Sequence, residues 1–530
     1  SRHIKAVPEV HLLLLPLPQA SSAIAETPDA PDTMAFELLT AGAAVASLLA
    51  SHAAASVLMD NALAATPQMG WDNWNAFGCD VSEELLLGTA QRMVELGLRD
   101  VGYQYVILDD CWSDGRYPNK TLRPDFTKFP NGMKHVADQI HELGLKFGMY
   151  SSAGEYTCGQ YAGSLGYEYI DAQTFASWDV DYLKYDNCYN RGQSGNANIS
   201  FERYDMMSVA LNQTGREILY GMCNWGQDRP WDWAFSIANS WRATGDIYDS
   251  FDRPDVRCPC EEKMGIDCAF PGFHCSVMNI INKVVWFIHR SQPGGWNDMD
   301  MLEVGNGGQT DEEYKLHMTM WAAMKSPLIM GTDIRALDAN SYSIYTNPAI
   351  LALSQDPTGS SVQRRWRYYV QPADMYGTGE IQFWAGSLSQ GDNVAIFLNA
   401  ANQDVMMNAT LADVFLDEGY TAAPHAKQNW DMYDLWANRM PNSTADAILA
   451  ANSTTALGVN STSQYLYNAT AQSYADGIAK NETVLMGEYV GTWSAGAMSQ
   501  WNVVVPRHGV MAYRMRPSGA VVSKRKRDEL

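Results

Sequence analysis

Between Thr66 and about Asp333, short apolar runs that end in polar or acidic residues alternate with stretches of helical spacing. The runs are Pro67–Asn73, Tyr105–Asp110, Phe147–Ser151, Tyr182–Asp186, Ile218–Cys223, Asn239–Arg242 with Asp246 after it, Gly295–Asp300 and Leu328–Asp333. Such runs, bounded by turn signals, read as buried parallel strands. Between the first two, Ser82-Glu83-Glu84 opens a helix with a capping hydroxyl and acids at its positive end. Leu86, Ala90, Met93 and Val94 then form one stripe, and Leu96-Gly97 stops it. Val136, Ile140 and Leu143-Gly144 repeat the device, and Val277 to Ile288 predicts a longer, more buried helix. Eight strand–helix units in ~270 residues match a (β/α)8 TIM barrel. A doubly wound open sheet would place a glycine-rich phosphate turn after its first strand, and PQMGWDN holds none.

After Asp356-Pro357 the pattern changes. Arg365–Val370, Ile381–Leu388, Asn393–Asn399 and Trp501–Val505 alternate or run apolar, with Gly, Asn and Pro between them. They predict an antiparallel β domain, a sandwich, of ~160 residues. Residues 441–482 are rich in Ala, Ser, Thr and Asn and read as a glycosylated excursion rather than core. The expected division is 1–58 pro-region or mispredicted start plus signal segment, 59–355 catalytic barrel, 356–517 β-sandwich, and 518–530 charged tail.

Composition narrows the class. The chain has 530 residues, 46% hydrophobic and 11% aromatic, which excludes a disordered polypeptide. A formal charge of −23 argues against a nucleic-acid partner, and the low charge density against a membrane-surface binder. Residues 34–58 resemble a secretory h-region, with cleavage expected around Ala53–Ser56. Nine N-x-S/T sequons, at Asn119, Asn198, Asn212, Asn408, Asn442, Asn452, Asn460, Asn468 and Asn481, fit a secreted glycoprotein. The nine cysteines form no CxxC pair and have no His cluster beside them, so disulfides with one thiol left over are expected rather than zinc. Arg527-Asp528-Glu529-Leu530 is close to an endoplasmic-reticulum retrieval signal, which would retain the protein.

In a barrel the C-terminal strand ends meet over one mouth. Here they supply Trp74, Asp109, Asp110, Tyr150, Lys184, Asp186, Trp225, Arg242, Asp246 and Asp300, with no His among them. That set excludes a His-based acyl-transfer triad and His-ligated metal hydrolysis. It leaves carboxylate chemistry with aromatic platforms, the means of binding and cleaving a sugar. Lys184 and Asp186, two apart on one strand, face the same way. The ammonium is expected to depress the Asp186 pKa and keep it ionised as a nucleophile. Asp109 and Asp110, adjacent at one strand end, suit a grip on two ring hydroxyls.

The ordered motifs TPQMGWDNWNAFGC, LDDCW, GMYSSAGEYTC, LKYDNCY, SWRATGDI and GGWNDMDML resemble the signatures of glycoside hydrolase family 27, the α-galactosidase family, from Thr66 to about Pro357. The resemblance, closest to fungal-type members, implies a retaining, metal-free and cofactor-free exo-glycosidase removing terminal α-galactose from raffinose-type sugars or galactomannan branches. It implies Asp186 as nucleophile and Asp246 as acid/base. It implies a galactose subsite of Trp74, Asp109, Asp110, Tyr150, Cys158, Lys184, Cys223, Trp225, Arg242, Asp300 and Met301, with Asp109 and Asp110 on the 4- and 6-hydroxyls. It implies disulfides Cys79–Cys111 and Cys158–Cys188, with Cys223 the unpaired thiol and Trp225 its partner wall against the 2-position. Asn224 departs from the acidic residue expected between them. Among Cys258, Cys260, Cys268 and Cys275 three pairings are open, with Cys258–Cys260 disfavoured on geometry. The alternatives are a β-L-arabinopyranosidase, an α-N-acetylgalactosaminidase and a non-catalytic galactoside-binding protein.

Overall fold

The computed structural model describes residues 61–253, 258, 274–371, 379–415, 424–455 and 464–519. The signal segment, the segment upstream of it, the charged tail from 520 on, Asn460, Cys260 and Cys268 therefore lie outside the described residues.

Each of the eight runs falls on one strand: β1 Met69–Asp72, β2 Tyr105–Leu108, β3 Lys146–Ser152, β4 Tyr182–Asp186, β5 Leu219–Cys223, β6 Ser240–Arg242, β7 Trp296–Asp298 and β8 Leu328–Met330. They pair in parallel in the order β7-β6-β5-β4-β3-β2-β1-β8. The ring closes just past β7, where Leu302 bridges Met330. Leu302 donates its N–H to Ile329 O (2.7 Å), and Gly331 donates its own to Leu302 O (2.9 Å). This is the TIM barrel expected from the sequence.

Period-two alternation decides what faces the axis. Tyr105, Ile107, Tyr182, Leu219 and Ile329 fill the interior with Met301. Their neighbours Val106, Leu108, Leu183 and Tyr185 pack outward into the main core. Gly221 makes room for one of the interior rings, since a Cβ there would lie 2.5 Å from Tyr182 Oη.

Helix α1 (Glu83–Glu95) starts at Ser82, whose hydroxyl accepts from Leu85 N–H as the capping pattern requires. Next come α2 (Met133–Glu142), α3 (Glu168–Ser177), α4 (Ala197–Gln213), α5 (Val277–Val284) and α6 (Asp311–Ala323). Two units differ from the sequence reading. After β5 two 3-10 turns, Pro230–Asp232 and Ala234–Ser236, replace a helix, because Asp228 and Arg229 take positive φ before the first turn and Trp233, at φ −139°, leaves the helical region between the two. The segment read as one helix from Val277 to Ile288 is α5 followed by a 3-10 turn at Ile288–Arg290.

The C-terminal domain is an uneven sandwich. Its six-stranded antiparallel sheet runs β9 (Gln363–Tyr369), β10 (Glu380–Ser387), β11 (Asn393–Asn399), β16 (Gly509–Pro517), β13 (Trp430–Asp434) and β14 (Glu488–Trp493). A two-stranded ribbon, β12 (Val405–Thr410) with β15 (Gln500–Val505), forms the other layer. Trp384, Val394, Ile396 and Leu398 join the barrel's core, while Phe383, Ala385, Ala395 and Phe397 meet the ribbon. Both faces of the sheet are thus covered.

Segment 441–482 corrects the expectation of an excursion. Its helices α7 (Asn442–Ala451) and α8 (Tyr474–Lys480) put Ala445, Ile448, Tyr474 and Ile478 into the main core. Tyr474 Oη donates to Val101 O (2.9 Å) and Ala469 N–H to Asp100 O (2.7 Å), tying the segment to the barrel. The small apolar residues that face inward are the same types that dilute the helical stripe in the sequence. Asn442, Asn452 and Asn468 stay exposed. Among the described residues no helix is long and apolar enough to cross a membrane.

Candidate active site

Ladder register explains why the strand ends converge. Asp186, last in β4, lies level with Ser152 on β3 and Cys223 on β5, and Arg242, last in β6, lies level with Asp298 on β7. Together they surround a cavity of about 170 Å³ at the barrel mouth. Every candidate catalytic or subsite residue named from the sequence lines it except Asp110. Asp110 sits beside the wall, its carboxylate oxygens accepting from the N–H of Cys111 (2.7 Å) and of Gly159 (2.7 Å). Asn75 and Cys188 line the cavity in addition.

Asp186 is buried at the cavity floor. It accepts from Tyr150 Oη (2.9 Å) and from Asn187 N–H (2.8 Å). Burial is the largest influence on it and pushes its pKa up to about 7 against the lowering by Lys184. This corrects the expectation of a depressed value. Lys184 points the same way, but its ammonium pairs with Asp109 Oδ2 (2.5 Å) and stands over the Tyr150 ring at 5.6 Å. Its charge is therefore shared before it reaches Asp186.

Asp246 occupies a different environment. Its side chain is 50% exposed and is held by Arg242 Nη2 at 2.9 Å. The same nitrogen lies 2.7 Å from Asp300 Oδ2, and both of those side chains are 4% exposed. Asp300 adopts φ 80°, in the left-handed region that costs a non-glycine residue energy. Its carboxylate accepts from the N–H of Ile247 (2.7 Å) and of Met301 (2.8 Å), which fixes the chain next to Asp246. Burial raises the Asp300 pKa to about 6 although Arg242 opposes it.

Several residues of this frame were not singled out from the sequence. Asp72, fully buried below the mouth, has a pKa raised by burial and then by the charge of Asp109. Asn73 Oδ1 accepts from Asp109 N–H (2.8 Å). Both lie in the WDNWN stretch already quoted, so a polar run at a strand end was a usable signal. Arg203 on α4 is different. It donates to Ala153 O (3.0 Å), Gln193 O (2.9 Å) and Asn187 Oδ1 (2.6 Å), bracing the loop behind Asp186, and nothing in the helix pattern marks it.

Disulfides Cys79–Cys111 and Cys158–Cys188 are present, and Cys258 pairs with Cys275. Among the described residues Cys223 is the free thiol; it is buried and accepts from Arg242 Nη1 at 3.6 Å. Cys158, Cys188 and Asp186 cluster closely, but the two sulfurs are bonded to each other and offer no thiolate to a metal. Asn224 is buried and donates its amide to Gln227 O (2.9 Å).

Three carboxyls here, Asp186, Asp300 and Glu303, have pKa values raised by burial to about 7, 6 and 8. Each binds a proton in the folded state that the unfolded chain, titrating near ~4, has already released. Stability contributed by that proton is present at low pH and is lost as pH rises through the folded value. The melting temperature is therefore expected to be a few degrees higher at pH 5 than at pH 8, measured by differential scanning calorimetry.

The family described as Alpha galactosidase A matches residues 66–258 and 270–356, and the one described as Alpha galactosidase C-terminal beta sandwich domain matches 378–459. The chain belongs to the α-galactosidase family, glycoside hydrolase family 27. An α-galactosidase of Lachancea cidri is 56% identical over 458 residues, 86% of this chain and 95% of that protein. The solved structure of the α-galactosidase from Saccharomyces cerevisiae with raffinose is 54% identical, covers 86% of this chain and 99% of that one, and superposes with a TM-score of 0.82. The α-galactosidase I of Mortierella vinacea is 42% identical, with a TM-score of 0.72 over 87% of this chain and 99% of that one. All the catalytic and subsite candidates fall inside the α-galactosidase family's barrel match, and the sandwich follows it in chain order.

Proposed function

We propose that this chain is a retaining exo-α-galactosidase, with Asp186 as nucleophile and Asp246 as acid and base. The observation that carries this reading is the contrast between the two carboxylates on one cavity. Asp186 is buried and oriented by Tyr150 and Asn187, as a group that must approach one carbon needs to be. Asp246 is half-exposed at the rim and tethered by Arg242, where a leaving oxygen and then a water can reach it. In the first step Asp186 attacks the anomeric carbon while Asp246 gives its proton to the departing oxygen. In the second, Asp246 takes a proton from water, whose oxygen displaces Asp186. The charge of Asp246 is one of the causes holding the Asp186 pKa up, so a proton on Asp246 favours the ionised nucleophile.

Galactose is favoured by the walls. Asp109, gripped by Lys184 and by the Asp110 N–H (2.7 Å), presents a fixed acceptor to ring hydroxyls. Asp110 shares that role from beside it. Asp at this place leaves room for the hydroxymethyl group that an arabinopyranoside lacks. Cys223 and Trp225 line the cavity on the side assigned to the 2-hydroxyl, and a bulky wall there disfavours an acetamido group. The three disulfides among the described residues fit an oxidising, secretory route, with N-glycans on exposed sequons such as Asn442 and Asn468.

Initial rates of p-nitrophenol release from the α-galactoside, the β-L-arabinopyranoside and the α-N-acetylgalactosaminide test this reading. The galactoside is expected to dominate. Faster arabinopyranoside turnover would overturn the subsite assignment, and no turnover of any of the three would favour a binding protein.

A further inference from the structure

Asp72 closes β1 and is buried, yet it takes no part in the two displacements. In the ladder it lies level with Ile107, two residues on from Gly70 beside Tyr105, so period two turns its side chain into the barrel. There it helps to line a small cavity of about 20 Å³ beneath the catalytic one, with Lys184, Arg242, Asp298 and Asp300 around it as well. Such a space takes about one water, so bulk solvent does not reach a charge placed there. Two of these described residues are cations. Arg242 is committed to Asp300 (2.7 Å) and Asp246 (2.9 Å), and Lys184 pairs with Asp109 (2.5 Å). A second carboxylate beside that pair would be a buried charge with no cation of its own. Asp72 therefore keeps its proton: burial first, and then the charge of Asp109, hold its pKa well above the usual carboxylate range.

A neutral carboxyl donates one hydrogen bond and still accepts others. Asp72 Oδ1 accepts from Trp74 N–H (2.9 Å), and the Asp109 carboxylate lies within hydrogen-bonding reach of the Asp72 side chain. Asp109 also accepts from Asp110 N–H on Oδ1 (2.7 Å) and from Lys184 on Oδ2, so its direction is set entirely by donors around it. We infer that Asp72 is a positioning residue for the sugar subsite, a neutral donor whose O–H holds the Asp109 carboxylate while its Oδ1 fixes the backbone at Trp74. The inference rests on the galactosidase reading and goes beyond it, since Asp72 lies outside the catalytic cavity and acts through two residues that line it.

The test uses Asp72→Asn, whose amide keeps an acceptor for Trp74 N–H and a donor for Asp109, and Asp72→Leu, which is similar in size and keeps neither. For p-nitrophenyl α-galactoside, kcat/KM is expected to fall about tenfold or more in Asp72→Leu and to recover to within about threefold of wild type in Asp72→Asn. Adding Asp72→Leu to Asp109→Ala should cost less than about twofold beyond Asp109→Ala alone, because the first residue acts through the second. Infrared difference spectra of wild type against Asp72→Asn at pH 7 should show the C=O stretch of a protonated carboxyl, a readout that does not depend on Asp72→Leu folding. A tenfold loss in Asp72→Asn, no loss in Asp72→Leu, losses that add to those of Asp109→Ala, or absence of the protonated band would each overturn the inference while leaving the galactosidase reading in place. Wild type that does not cleave the galactoside would instead remove the reading on which it rests.

Discussion

Asp186→Ala is expected to lower kcat on α-galactosides on the order of 10⁴-fold or more, as removal of a nucleophile does. The folded protein is expected to survive it. Asp186 lies under Tyr150 and beside Lys184 in a site where burial opposes its charge, so its carboxylate costs stability rather than supplying it. The melting temperature at pH 8 should therefore equal or exceed that of wild type, and Asp186→Asn should show the same with the Tyr150 hydrogen bond retained. Kinetics and calorimetry on the same preparation separate the two effects. A variant that keeps more than about a tenth of wild-type kcat would place the nucleophile elsewhere.

Arg242→Ala should have the largest effect on stability. Its guanidinium reaches Asp300 at 2.7 Å and Asp246 at 2.9 Å, and it is the cation that opposes the burial of Asp300. Removal leaves a buried carboxylate without its partner, a loss of ~3–5 kcal/mol. Asp300 already occupies a left-handed backbone position that depends on surrounding contacts. Urea unfolding at pH 7 measures the loss. Arg242→Lys is expected to recover only part of it, because one ammonium cannot reproduce the planar fork that meets Asp300, Asp246 and the Cys223 sulfur together. Adding Asp300→Asn to Arg242→Ala should restore stability without activity. A loss below about 1 kcal/mol for the single variant would show that the pair is solvated.

The barrel was legible because its strands are short apolar runs that end in chemistry-bearing residues. LKYD shows this directly: alternation alone places Lys184 and Asp186 on the inner face, and both line the cavity. What alternation cannot give is the balance of burial against charge. Lys184 does lower the Asp186 pKa, but burial outweighs it, and the ammonium pairs with Asp109, just past β2 and far away in sequence. Arg203 and Glu303 were missed for the same reason, since each acts through loops that only the closed barrel brings together. In the C-terminal domain β16 was not read as a strand. Its buried Arg514 pairs with Asp392 at 3.0 Å and breaks the apolar pattern that marks β10 and β11. Segment 441–482 deceived in the opposite direction, because Ala445 and Ile448 carry its inner face while sequons crowd the outer one.

The most direct test of the central claim follows raffinose hydrolysis by wild type with ¹H NMR from the first turnover. Two displacements, by Asp186 and then by water activated by Asp246, predict that free galactose appears first as the α-anomer and only later mutarotates to the equilibrium mixture. Galactose released first as the β-anomer would mean a single displacement and would contradict the assignment of Asp186 as nucleophile.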